Sequence, residues 1–127
     1  MNVSSGASFQ QLTADKGITG RDSVYIYDAS DDTANKTLYL RVDQRVFIAI
    51  TDATYTLTLT LPPVAEAAGM IYSVAVQTDG GQDLTVTDKG DDTDFDDVTF
   101  ADANDRGLFY SDGVHWHFID TGGATAS

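Results

Sequence analysis

Cysteine is absent from this 127-residue chain, so disulfide frameworks, thiol nucleophiles and thiolate metal sites are excluded together, and stability is left to packing or assembly. Cationic residues are scarce: seven Lys and Arg stand against twenty Asp and Glu, a net charge of −13 that repels phosphate backbones and anionic lipid headgroups. Neither nucleic acid nor a membrane is therefore expected as a partner. Glutamate is nearly missing too, since Glu66 is the single one among the twenty acids. Aspartate disfavours helix and strand interiors and suits turns, so this imbalance predicts many loops and few helices. No apolar run reaches the roughly eighteen residues of a membrane span. Met1 is followed by polar Asn2, Ser4 and Ser5 rather than by a cationic start and an apolar stretch, so no secretion signal is expected.

The usual signatures of catalysis are missing as well. There is no G-x-S-x-G elbow, phosphate-cradling G-x-x-x-x-G-K-[ST], G-x-G-x-x-G or H-E-x-x-H, and no cysteine to pair with either histidine. Carboxylate pairs for glycoside cleavage exist only in the sense that nineteen aspartates exist, and nothing in the order of residues prefers one pair. No enzyme and no cofactor are expected.

What is present is alternation. In residues 54–61 the series Thr54, Thr56, Thr58, Thr60 interleaves with Tyr55, Leu57, Leu59 and Leu61, the period of a strand with one face on a core. Pro62 and Pro63 cannot donate to a ladder and end it. Ala65, Glu66, Ala67 and Ala68 favour one short helical turn near 63–68, closed by Gly69 in a left-handed conformation. Met70, Ile71, Tyr72, Val74 and Val76 then read as a second strand. Upstream, strands are expected at 23–27, at 37–42 and at 46–50, where Val46, Phe47 and Ile48 open a segment apolar at every position and so predicted to be covered on both faces, as a central strand of a sandwich, by an identical subunit, or by both. The threonine side of 54–60 is read either as solvated or as a partly polar seam. The chain finishes on a hairpin turning at Asp112-Gly113, with Trp116 as a core or interface anchor. The length fits one domain, residues 23–127, preceded by an N-terminal arm at 1–22 rich in Ser, Gly, Ala, Thr and Asp. The expected fold is all-β: an antiparallel β-sandwich or barrel-like domain.

Two stretches invite a metal. Ten aspartates lie between Asp79 and Asp105, and Asp92, Asp94 and Asp96 have D-x-D-x-D spacing, but Asp97 and Ala103 occupy the positions where an EF-hand needs Gly and Glu. The EF-hand fails, which leaves a solvated acidic loop or a calcium site of another kind, with no ligands nameable. His115 and His117 flank Trp116 and project from one face of the last strand, a metal-competent pair that lacks a third ligand nearby.

The series TLTLPP, a small-residue turn, G-x-IY-x-V, an Asp/Gly-rich middle and YSDG-x-x-W resembles modules of tailed-bacteriophage virion proteins, found in head decoration or cement proteins and in head and tail fibres. The resemblance covers about the last 75 residues. It implies an all-β homotrimer with a structural or adhesive role. On that reading the chain is a cement protein on the capsid exterior, its partners being its own copies and the major capsid protein. Phe9, Leu12 and Ile18 of the arm are the expected shell contacts. Val46, Phe47, Ile48, Tyr55, Leu57, Leu59, Leu61 and Trp116 are expected to build the core and part of the trimer seam. The alternative is a fibre adhesin that meets a host surface through exposed Tyr110 and Trp116; the short chain, with no room for a long shaft, weighs against it.

Overall fold

Among the described residues eleven short strands form and no helix occurs; the strands Leu84–Thr87, Asp92–Thr93, Asp97–Phe100 and Thr125–Ala126 are additions to those expected from alternation. The computed structural model describes residues 23–126 apart from positions 89, 91 and 94, so the arm with Phe9, Leu12 and Ile18 lies outside the described residues. In chain order the strands are β1 (Val24–Asp28), β2 (Lys36–Tyr39), β3 (Val46–Ile50), β4 (Leu57–Thr60), β5 (Ile71–Thr78) and β6 (Leu84–Thr87). They continue with β7 (Asp92–Thr93), β8 (Asp97–Phe100), β9 (Arg106–Ser111), β10 (His115–Gly122) and β11 (Thr125–Ala126). One sheet has the order β1-β3-β5-β9-β10-β7 and the other β11-β8-β6-β4-β2.

The chain crosses from one sheet to the other after each of its first six strands. β1, β3 and β5 therefore lie parallel in the six-stranded sheet, and β2, β4 and β6 lie parallel in the five-stranded sheet. Three successive coils result, and each turns its first corner on an aspartate. Asp28 accepts the Ser30 N–H at 2.9 Å, Asp52 the Thr54 N–H at 2.8 Å, and Asp79 the Gly81 N–H at 2.8 Å. This is the Asx turn that gives Asp its place at corners. The second and third corners stack closely: Gly80 donates its N–H to Thr51 Oγ1 at 2.9 Å, and a side chain on Gly80 would overlap the Thr51 carbonyl. After the third coil the direction changes. β8 joins β6 antiparallel, β9 joins β5 antiparallel, and the β9–β10 hairpin closes on Asp112 and Gly113.

The inward side chains of both sheets form one buried cluster that includes Phe47, Leu57, Leu59, Leu61, Tyr72, Leu84, Phe109 and Trp116. Each such side chain removed from water contributes about 1.5–3 kcal/mol before conformational entropy is subtracted. Tyr72 packs edge-on against Trp116 at 5.6 Å, and Phe95, Phe100, Phe109 and Phe118 make a second aromatic group.

The expected antiparallel sandwich or barrel is corrected on two counts. Both sheets are mixed, and neither closes into a barrel among the described residues. Alternation fixes which side chains face the core but is the same for parallel and antiparallel neighbours, so the interleaving was invisible in it. The strands on either side of Pro62 and Pro63 likewise lie in opposite sheets. The turn between them is shorter than a helix, with the Ala67 N–H bonded to the Pro63 carbonyl at 3.2 Å and Gly69 at φ +78°. Tyr55 stands in the corner before β4 rather than in the strand, because Asp52 holds the N–H groups of Thr54 and Tyr55.

Candidate functional site

The two sheets present very different outer faces. Across the five-stranded sheet, register aligns Thr37, Thr58, Thr85, Thr99 and Thr125 in one outward row. A second row holds Tyr39, Thr60, Thr87 and Asp97, of which Thr60 is buried. Threonine suits this place twice over, since its branched Cβ fits the pleat and its hydroxyl is satisfied by water or by the next strand.

The outer face of the six-stranded sheet is apolar. Val24, Val46, Ser73, Leu108 and Ile119 form one row, and Ile26, Ile48 and Ala75 a second that ends on Arg106. Ile71 continues the surface toward Tyr110 and His117. Val24, Ile26, Ile71 and Ile119 remain 43%, 58%, 54% and 48% exposed, while Val46, Ile48 and Ile50 are half-buried. The expectation that 46–50 is covered on both faces is thus met on the inner side by Phe47 and Ala49 and only partly on the outer side. Leu57, Leu59 and Leu61 are fully buried in the chain's own core, so none of them can form a seam.

The C-terminal hairpin carries the titratable groups. Asp112 Oδ1 accepts the N–H groups of Val114 and His115 at 2.8 and 2.7 Å, and Asp112 Oδ2 lies 2.9 Å from His117 Nε2. The bond to His117, with those two N–H groups, holds the Asp112 carboxyl below the usual carboxylate range. Tyr110 stacks on the His117 ring at 4.8 Å, and the rings of His115 and His117 are 6.5 Å apart. The predicted histidine pair therefore does share a face, with a carboxylate beside one member. No group of three or more potential ligands is assembled anywhere among the described residues. That result covers only part of the acidic stretch, because Asp91 and Asp94 lie outside it.

Trp116 is fully buried and donates its indole N–H to the Pro62 carbonyl at 3.2 Å, so it is a core residue and not an exposed aromatic. Ser111 donates its hydroxyl to the Val64 carbonyl at 2.6 Å, and its own carbonyl accepts the Gly69 N–H at 2.8 Å. The LPP corner and the YSDG-x-x-W hairpin, far apart in sequence, thus pack directly on each other. A shallow polar pocket of about 280 Å³ lies at residues 31–36, beside Tyr27, whose hydroxyl bonds Asp32 at 2.9 Å. Burial, reinforced by that hydrogen bond, pushes the Tyr27 hydroxyl up to about 12.

Sequence reading expected cover on the outer side of 46–50 and a threonine side on 54–60, but missed the rows that extend each of them across a whole sheet. The signal for the first was present in the unbroken apolar run at 46–50 and in Ile26, Ile71 and Ile119, but only the strand order places them side by side. Comparison with family models, with curated proteins and with solved structures finds no match to this chain.

Proposed function

We propose that this chain is a structural virion protein: a β-sandwich that assembles as a homotrimer and cements the outside of a phage capsid lattice. The observation that carries the reading is the apolar outer face of the six-stranded sheet on a chain whose core is already closed without it. A lone small protein gains nothing from keeping such a face in water, whereas a building block uses it. The sequence resemblance to decoration modules supplies the particle. Cementing is then mechanical: each trimer seated over a junction of capsid subunits adds interface that must be broken before the shell opens. The net charge of −13 suits an exterior position away from packaged nucleic acid. No catalytic role and no cofactor belong to this reading.

The arm at residues 1–22 is assigned to the shell through Phe9, Leu12 and Ile18. Deleting it is expected to abolish retention on undecorated phage heads while the remaining domain stays folded and self-associated. A truncated chain that still decorates heads fully removes the arm from the reading. The fibre-adhesin alternative loses one of its two proposed contact residues, because Trp116 is enclosed; specific binding to host cells or glycans would restore it.

A further inference from the structure

From the contrast between the two outer faces we infer that the apolar face of the six-stranded sheet is a seam between copies of this chain, and that any capsid contact lies elsewhere. This rests on the assembly reading above and names the surface that performs it. Charge selects the occupant. Each copy carries −13, so two copies repel wherever their aspartate-rich loops approach, and a partner with a basic surface is drawn to those same loops. The rows through Val24 and Ile26 carry no charge until Arg106, with Asp28 at the other margin. Between Asp28 at one margin and the His117–Asp112 pair at the end that Ile71 reaches, an equally acidic chain can approach over the two rows without bringing carboxylates together.

Size is the second argument. Five strands about 4.8 Å apart and five residues at about 3.4 Å give a footprint of roughly 400 Å². That lies within the roughly 300–600 Å² of the largest apolar patch on a typical monomer, a size that is often functional, and it supplies an apolar centre of about half the roughly 800 Å² that each partner of a stable pair contributes. The aliphatic residues present, Ile26, Ile48, Ile71 and Ile119 among them, are held on neighbouring paired strands, so little backbone freedom is lost when the face is covered. The threonine face lacks this character and remains solvated.

The test is solution mass by light scattering on the full chain at tens of micromolar. The wild type is expected at three times the 13.6 kDa of one chain. Ile26→Asp with Ile119→Asp, at positions exposed enough to tolerate the change, is expected to weaken self-association by at least about a hundredfold and leave a folded monomer, because each buried carboxylate lacks a partner. Thr58→Asp with Thr85→Asp is the control and is expected to leave the assembled mass unchanged. Near-ultraviolet circular dichroism from the Tyr72–Trp116 pair reports folding in every variant. A monomeric wild type, or isoleucine variants that keep the wild-type mass, overturns the inference. Isoleucine variants that stay assembled yet lose retention on undecorated heads make this face the shell contact, which overturns the seam but leaves the cement reading. Self-association lost in the isoleucine variants, from a wild type that never binds heads, upholds the seam and removes the cement reading.

Discussion

The indole of Trp116 and the carbonyl of Pro62, 54 positions apart in the chain, meet in a buried hydrogen bond of 3.2 Å that pins the C-terminal hairpin to the proline corner. Trp116 also packs against Tyr72, whose hydroxyl donates to the Val42 carbonyl at 2.7 Å. One side chain thus couples β10, β5 and the corner after β4. Trp116→Phe keeps most of the apolar area but leaves the Pro62 carbonyl without its donor, an expected loss of about 1–3 kcal/mol. Trp116→Ala adds a cavity and is expected to lose about 3–5 kcal/mol. Urea unfolding followed by far-ultraviolet circular dichroism checks both values and their order.

Gly80 gives a sharper test of the coiled corners. A methyl group there overlaps the Thr51 carbonyl oxygen, which belongs to backbone and cannot swing aside. Gly80→Ala is expected to destabilise by about 1–3 kcal/mol through overpacking, whereas Gly90→Ala meets no neighbour and acts only through its backbone conformation at φ +84°. A Gly80→Ala protein as stable as the wild type would show that the second and third corners do not stack as described.

Acid should loosen the hairpin. The Asp112 carboxyl lies below its ordinary 3.8 because His117 and the N–H groups of His115 and Val114 favour its charged form. A carboxylate depressed in the folded state contributes stability that is present above about pH 4 and lost as pH falls through the folded-state value. Asp28 and Asp52 are shifted in the same direction by the groups they cap, and add to the same trend. Thermal melts between pH 2 and 7 are expected to show Asp112→Asn less stable than wild type near neutrality, with the difference shrinking at the acid end. A gap independent of pH would mean that the charge of Asp112 plays no part.

Tyr27 titrates at the other extreme. With its hydroxyl pushed up to about 12 by burial and by Asp32, its neutral form is favoured in the folded chain. The resulting stability is complete below pH 10 and is lost as pH rises toward 12. Ultraviolet titration is expected to show one phenolate forming late, and Asp32→Ala should bring that transition to lower pH. A transition unmoved by the substitution would assign the shift to burial alone.

Residue order alone determined the strands before residue 78, the all-β class, the Asp112-Gly113 hairpin, the stop at Pro62 and the left-handed Gly69, because each follows from period-two alternation or from the backbone limits of single residues. The strands Leu84–Thr87 and Asp97–Phe100, in and beside the stretch read as an acidic loop, were missed, because the surrounding aspartates masked the buried alternation of Leu84, Val86, Val98 and Phe100. The extreme acidity and the lack of catalytic signatures were equally legible. Tertiary structure decided which strands are neighbours. Parallel coils and antiparallel hairpins demand the same alternation, so the crossing from sheet to sheet after β1 through β6 left no mark that pattern reading could separate. Strand order in turn decided the surfaces: it closed the core over Leu57, Leu59 and Leu61 within one chain, leaving them no part in a seam, and enclosed Trp116 rather than leaving it at an interface. The same order gathered Ile26, Ile48, Ile71 and Ile119 onto one outer face and Thr37, Thr58, Thr85 and Thr99 onto the other. A side chain's polarity says that it wants cover or water; only its lateral neighbours, which come from distant parts of the chain, say which it receives.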